Sequence, residues 1–209
     1  MIEPHNLILF FLASLLLALA PGPDNLFVLA QSAQHGRKTG LTVTTGLCTG
    51  LLIHTSAVAL GVAAIFQASE LAFNLLKYIG AAYLLYLAWQ AFHAKQAAIS
   101  LSGNTTTGFG RLYRRGIIMN VTNPKVSIFF LAYLPQFTDP GQGSLILQMF
   151  MLGFIFIMAT ILIFGSISLV AGAIGEYLRQ SSRIQKILDW LAGTIFAGLA
   201  IKLAITERS

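Results

Sequence analysis

The 209-residue chain is 56% hydrophobic and 10% charged, with a net charge of +6 and a mean hydropathy of +0.76. Soluble domains are about a quarter charged, so this composition excludes a soluble enzyme, a disordered chain and a nucleic-acid binder. Six transmembrane helices of roughly 20 residues would occupy about 120 positions and leave room only for short loops.

Apolar runs at about 6–32, 40–66, 70–93, 115–137, 145–175 and 187–205 predict those six helices. The first is expected to be retained: Ala18-Leu19-Ala20 mimics a cleavage site, but no basic residue precedes it and Pro21 follows directly. The fifth run is long enough to tilt in a bilayer or to extend beyond it. The segment at about 94–114 is the one long connection, and its Ser-Gly-Asn-Thr-Thr-Thr-Gly composition reads as a linker. The expected organisation is a single membrane domain, 1–209. Repeat one covers about 1–93 and repeat two about 115–209.

Basic residues set the orientation. Arg37 and Lys38 lie in the first loop, Lys95, Arg111, Arg114 and Arg115 in or beside the third, and Arg179, Arg183 and Lys186 in the fifth. Nine of the thirteen Lys and Arg residues therefore fall in alternate loops. This predicts cytoplasmic basic loops in a bacterial-type inner membrane, with both termini outside; Lys202 and Arg208 oppose it weakly.

Cys48 is the only cysteine, and the four histidines are scattered, so neither a disulfide framework nor a metal site is expected. The glycine-rich stretch 103–110 lacks the Gly-Lys-Ser/Thr ending of a phosphate-binding loop. No cofactor is expected, and neither is enzymatic chemistry: no Ser/His/Asp or metal-ligand constellation is present. Active transport would then draw on an ion gradient or on a partner.

The strongest signal is an interruption in the first helix of each half. Pro21-Gly22-Pro23-Asp24-Asn25 breaks the first, and Asn120-Val121-Thr122-Asn123-Pro124-Lys125 breaks the fourth. Each proline lacks an N–H, which frees the carbonyls of Leu17, Leu19 and Asn120. In a membrane, freed backbone must be satisfied by protein or line a wet cavity. A packing kink is the plainer reading, but two prolines around a glycine, followed by Asp and Asn, go beyond one. Three helices per half make the halves an inverted repeat, and paired interrupted helices mark a transporter's binding site. Aligning Pro23 with Pro124 puts Asp24 opposite Lys125. Each charge costs roughly 2.5–3.5 kcal/mol at the midplane alone, which calls for pairing or a polar cavity.

Pro-Gly-Pro-Asp at 21–24, Gly36-Arg37-Lys38-Thr39-Gly40, Gly80-Ala81-Ala82-Tyr83-Leu84 and Asn123-Pro124-Lys125 resemble the LysE/RhtB family of amino-acid exporters, in order along the whole chain. The resemblance implies a small secondary transporter that exports amino acids or close derivatives in exchange for protons. It leaves the substrate open among basic amino acids, threonine and homoserine, leucine and cysteine derivatives. Lys77 matches a basic position of similar sequences, with an outward-snorkelling lysine as the alternative.

A broken helix offers N–H groups to a carboxylate and orphan carbonyls to an ammonium. Asp24 is expected to take the substrate amine or the coupling proton, and Lys125 the substrate carboxylate or Asp24 itself. Asn25, Asn120 and Asn123 would line the cavity, Asn120 serving freed backbone equally well. His54 lies on the face of Gly46 and Gly50, where the glycines read as close helix packing. The histidine could relay protons or simply bond across the bundle. Tyr83, Tyr86, Trp89 and Trp190 read as interface or packing aromatics. The expected partners are the substrate, protons and the bilayer, with homodimerisation left open. A passive channel for small polar solutes is the competing reading.

Overall fold

The computed structural model describes residues 2–20, 22–68, 70–93, 108–180 and 182–205. Pro21 and the 94–107 part of the expected linker lie outside the described residues. All regular structure among the described residues is helical.

Helix α1 (Pro4–Leu19) carries its proline in the first turn, where a missing N–H is harmless. It stops before the Pro-Gly-Pro segment, and α2 (Pro23–His35) starts on Pro23 from an extended Gly22. The two axes bend by 62°. Gly36, at φ 85°, ends α2 in a left-handed conformation that suits glycine, and its N–H closes on the Ser32 carbonyl at 3.0 Å. Helix α3 (Arg37–Ala68) follows at once, then α4 (Glu70–Phe92).

The second half opens with α5 (Phe109–Val121), so a stretch read as linker is already helical from Phe109 onward. After the break come α6 (Pro124–Ile128), one π turn at Phe129–Tyr133 and a 3-10 turn at Leu134–Phe137. The segment Pro124–Phe137 bends by 50° from α5. Helices α7 (Leu145–Gln180) and α8 (Ser182–Ile205) complete the chain. At 1.5 Å per residue α7 is about 54 Å long. It exceeds the hydrocarbon core of roughly 30 Å, in line with the expectation for the fifth run.

Helices α3 and α7 each contain a stretch long and apolar enough to cross a membrane, and each bent pair passes the same test as a single span. The described chain thus has two to four candidate spans by this measure. The runs read as spans three and six form α4 and α8. Large apolar side chains such as Leu60, Leu147 and Ile205 point outward, as a lipid-facing surface requires.

Small residues set the packing. A Cβ on Gly46 would strike the carbonyl of Tyr113, and one on Gly116 would lie 2.6 Å from the carbonyl of Val43. Helices α3 and α5 therefore touch backbone to backbone, as the glycine spacing on α3 predicted. Gly153 on α7 meets Thr55 on α3, and Gly80 on α4 meets Ala132 in the π turn. Helix α4 packs on α8, while α1 and α2 pack on α7.

Two apolar clusters result. The larger joins Phe10, Phe129, Phe130, Tyr133, Phe137 and Phe156 with residues of α1, α3, α4, α7 and α8. The smaller is Val28, Val43, Leu47, Leu112 and Phe164. Helix α1 and the segment after Pro124 feed the larger, whereas α2 and α5 feed the smaller. Both helix breaks fall where one cluster gives way to the other.

Candidate functional site

At the break in the first bent pair, Asp24 occupies the first turn of α2 and is buried at 3% exposure. A carboxylate is favoured there by the positive end of the helix dipole. Its Oδ2 accepts from Asn123 Nδ2 at 2.9 Å, while Oδ1 is buried without a partner. Asn123 is the N-cap of α6: its Oδ1 accepts the Lys125 backbone N–H at 3.0 Å. One asparagine thus starts the second helix of one pair and holds the acid of the other.

Lys125, also buried, lies near enough for its charge to attract that acid, but its hydrogen bonds go elsewhere. Its Nζ donates to the carbonyls of Ala20 at 3.0 Å and Leu17 at 3.3 Å. Asn25 Nδ2 donates to the Ala18 carbonyl at 2.6 Å. The carbonyls at the end of α1, Leu17 released by Pro21 and Ala18 and Ala20 left over where the helix stops, are therefore met by side chains from beyond both breaks. Leu17 was legible from the proline spacing; Ala18 and Ala20 were not. Gly22 makes the approach possible, since a Cβ there would stand 3.1 Å from Lys125 Nζ.

The other break is closed in the same way. The Asn120 carbonyl accepts the Asn123 backbone N–H at 3.0 Å and lies 3.2 Å from His54 Nε2. The Asn120 side chain sits beside the Asp24 carboxylate, and its Oδ1 lies over Gly50, where a Cβ would come within 2.7 Å. His54 is half-buried, with its ring 5.7 Å from that of Phe130. The structure thus brings Asp24, Asn25, Asn120, Asn123, Lys125 and His54 together, with Gly22, Pro23 and Pro124 at the two breaks. Pro21 lies outside the described residues. Sequence reasoning had assigned Gly50 to packing alone; its second task, seating Asn120, leaves no mark in the sequence.

Lys77 is buried rather than snorkelling outward, and its ammonium lies 4.7 Å from the Tyr78 ring centroid. Tyr83, Tyr86, Trp89 and His93 form a ladder along α4, with Tyr86 and Trp89 exposed, and Phe92 meets Trp190 of α8 edge-on. These rings suit a membrane interface. Among the described residues, no three His, Cys, Asp or Glu side chains cluster as metal ligands would.

Chemically, the site is a buried carboxylate with one free oxygen, ringed by amides, next to a buried ammonium that is already hydrogen-bonded. An unpartnered carboxylate oxygen such as Asp24 Oδ1 retains the capacity to accept a proton or a hydrogen bond.

The sequence profile of the LysE type translocator family matches residues 15–207. The chain belongs to the LysE type translocator family. A homoserine/homoserine lactone efflux protein of Salmonella typhimurium is 34% identical over 200 residues, covering 96% of both chains. A protein of the same name in Salmonella typhi is 33% identical over the same share. A Vibrio cholerae relative named as an uncharacterized membrane protein is 30% identical, covering 97% of this chain and 98% of its own. No solved structure matches. A LysE type translocator is a membrane transporter, which agrees with the apolar helices described above.

Proposed function

We propose that this translocator exports amino acids or close derivatives across the cytoplasmic membrane by proton antiport, through a midplane site at the two broken helices. The observation that carries the reading is Asp24: a buried carboxylate at a helix break, with Oδ2 held by Asn123 and Oδ1 buried without a hydrogen-bond partner. A proton and a substrate ammonium would compete for that oxygen, and competition for one site enforces exchange. Moving one charge down a membrane potential supplies about 2.3 kcal/mol per 100 mV, about a fifty-fold concentration ratio.

The two relatives' names suggest homoserine and its lactone as substrates. The two molecules share an α-amino group, whereas the lactone has no carboxylate. A site that reads the amine at Asp24 serves both.

The proposed architecture is six spans as two inverted three-helix repeats: α1 with α2, α3 and α4, then α5 with Pro124–Phe137, α7 and α8. Supporting it, the bends fall at corresponding prolines, and α3–α7 and α4–α8 pack between matching members of the two halves. The proposed orientation keeps both termini outside.

Proteoliposomes loaded with homoserine test the function. Efflux that accelerates when an inward proton gradient is imposed supports antiport. Efflux that equilibrates at a rate blind to the gradient identifies a passive channel instead.

A further inference from the structure

The end of α1 has the make-up of a cation site. Its terminal carbonyls carry the negative end of the helix dipole. The carbonyls of Leu17 and Ala20 converge on one point, and broken membrane helices use such carbonyls to coordinate a monovalent cation. Here that point holds Lys125 Nζ, at 3.3 and 3.0 Å. The ammonium arrives from the other half of the chain, more than a hundred residues away in sequence. Lys125 is 8% exposed, and Gly22 provides the space beside its Nζ. Asp24, the nearest acid of the site, is engaged by Asn123 and keeps its other oxygen unpaired.

We infer that Lys125 is a built-in cation, a tethered ammonium that permanently fills the carbonyl site at the end of α1 where a free monovalent cation would otherwise bind. Lys125 is then a positioning residue. It holds the break in α1 and α2 against α6, and it does not grip the substrate carboxylate. It also keeps Na⁺ from taking this site during transport, because the carbonyls of Leu17 and Ala20 are already occupied. This last point rests on the exporter reading above; the occupancy of the site does not.

The purified protein and its Lys125→Ala variant test this directly, by melting temperature in detergent against ammonium, methylammonium, Na⁺ and tetramethylammonium chlorides at equal ionic strength. Truncation leaves the carbonyls and a hole the size of the missing side chain. Methylammonium and ammonium should raise the variant's melting point by a few degrees in a saturable way. Tetramethylammonium, which has no N–H, should not, and wild type should respond to none. A variant that responds to no cation, or a wild type that responds equally, overturns the inference.

Should Lys125→Ala fail to fold in every salt, Gly22→Ala takes its place. The new methyl stands 3.1 Å from Nζ, so the ammonium must give by a few tenths of an ångström and its bond to the Ala20 carbonyl weakens. Gly22→Ala should melt lower than wild type and show no ammonium response, because Lys125 still occupies the site; wild-type melting, or a gained response, contradicts the proposal. Asp24→Asn, with Lys125 intact, separates the two readings. It should lose transport and still melt independently of ammonium.

Discussion

Asn123 Nδ2 donates to Asp24 Oδ2 at 2.9 Å, tying the cap of one broken helix to the acid of the other. Asn123→Ala removes both the cap of α6 and that donor. The change should destabilise the protein by about 2 kcal/mol or more, since a cap contributes about 1 and a buried unpaired oxygen costs 1–3. Asn123→Asp keeps the cap but sets a second carboxylate against Asp24, so it should recover little. Thermal melts of the two variants check this.

Gly50 and Gly61 make a contrast on one helix. A Cβ at Gly50 would lie 2.7 Å from Asn120, whereas one at Gly61 meets nothing within 4 Å. Gly50→Ala should cost about 1–3 kcal/mol through overpacking and slow transport by shifting Asn120 away from Asp24. Gly61→Ala should be neutral or slightly stabilising, because alanine is the better helix residue by roughly 0.5–1 kcal/mol. Melting temperature and homoserine efflux, measured on both, should separate them on both counts.

His54 meets the Asn120 carbonyl with Nε2 at 3.2 Å. His54→Gln can still donate to that carbonyl but cannot carry a proton. If the bond is the residue's whole task, the variant should keep its stability and most of its transport, with an unchanged pH profile. A proton relay would instead show as lost gradient coupling at near-normal stability.

Topology is read by reporter fusions. The proposed orientation places fusions after Arg37–Lys38 and within 94–107 in the cytoplasm, and a fusion at Ser209 outside. A cytoplasmic signal at Ser209 would break either the six-span count or the inverted repeat.

The breaks at Pro23 and Pro124 could be read from the chain because a missing N–H is a local, chemical fact. The same holds for close packing on the Gly46–Gly50 face of α3, since glycines four apart on a helix allow close approach, although its partner α5 could not be read. The Lys125 partner of the Leu17 and Ala20 carbonyls was hidden, because it lies about a hundred residues away and is chosen by packing. Charge alignment put Lys125 opposite Asp24, and the two charges do attract one another, yet its Nζ hydrogen-bonds to the carbonyls of Leu17 and Ala20. A helix end offers two buried acceptors in fixed geometry, whereas Asp24 is already held by Asn123. The π turn at Phe129–Tyr133 also left no sequence mark. It is an aromatic-rich apolar run like any other, and in the fold its Ala132 packs directly on Gly80.

The most direct test of Asp24 as the coupling group is homoserine efflux from proteoliposomes under an imposed proton gradient. It compares wild type, Asp24→Asn and Asp24→Asn with Lys125→Met. Asparagine keeps the shape and the bond to Asn123 but cannot be charged. Gradient-driven efflux should vanish in Asp24→Asn, in a protein that still inserts and melts cooperatively, and removing Lys125 should not restore it. Proton-driven efflux in either variant, above all its return in the double one, would show that Asp24 serves only to balance Lys125.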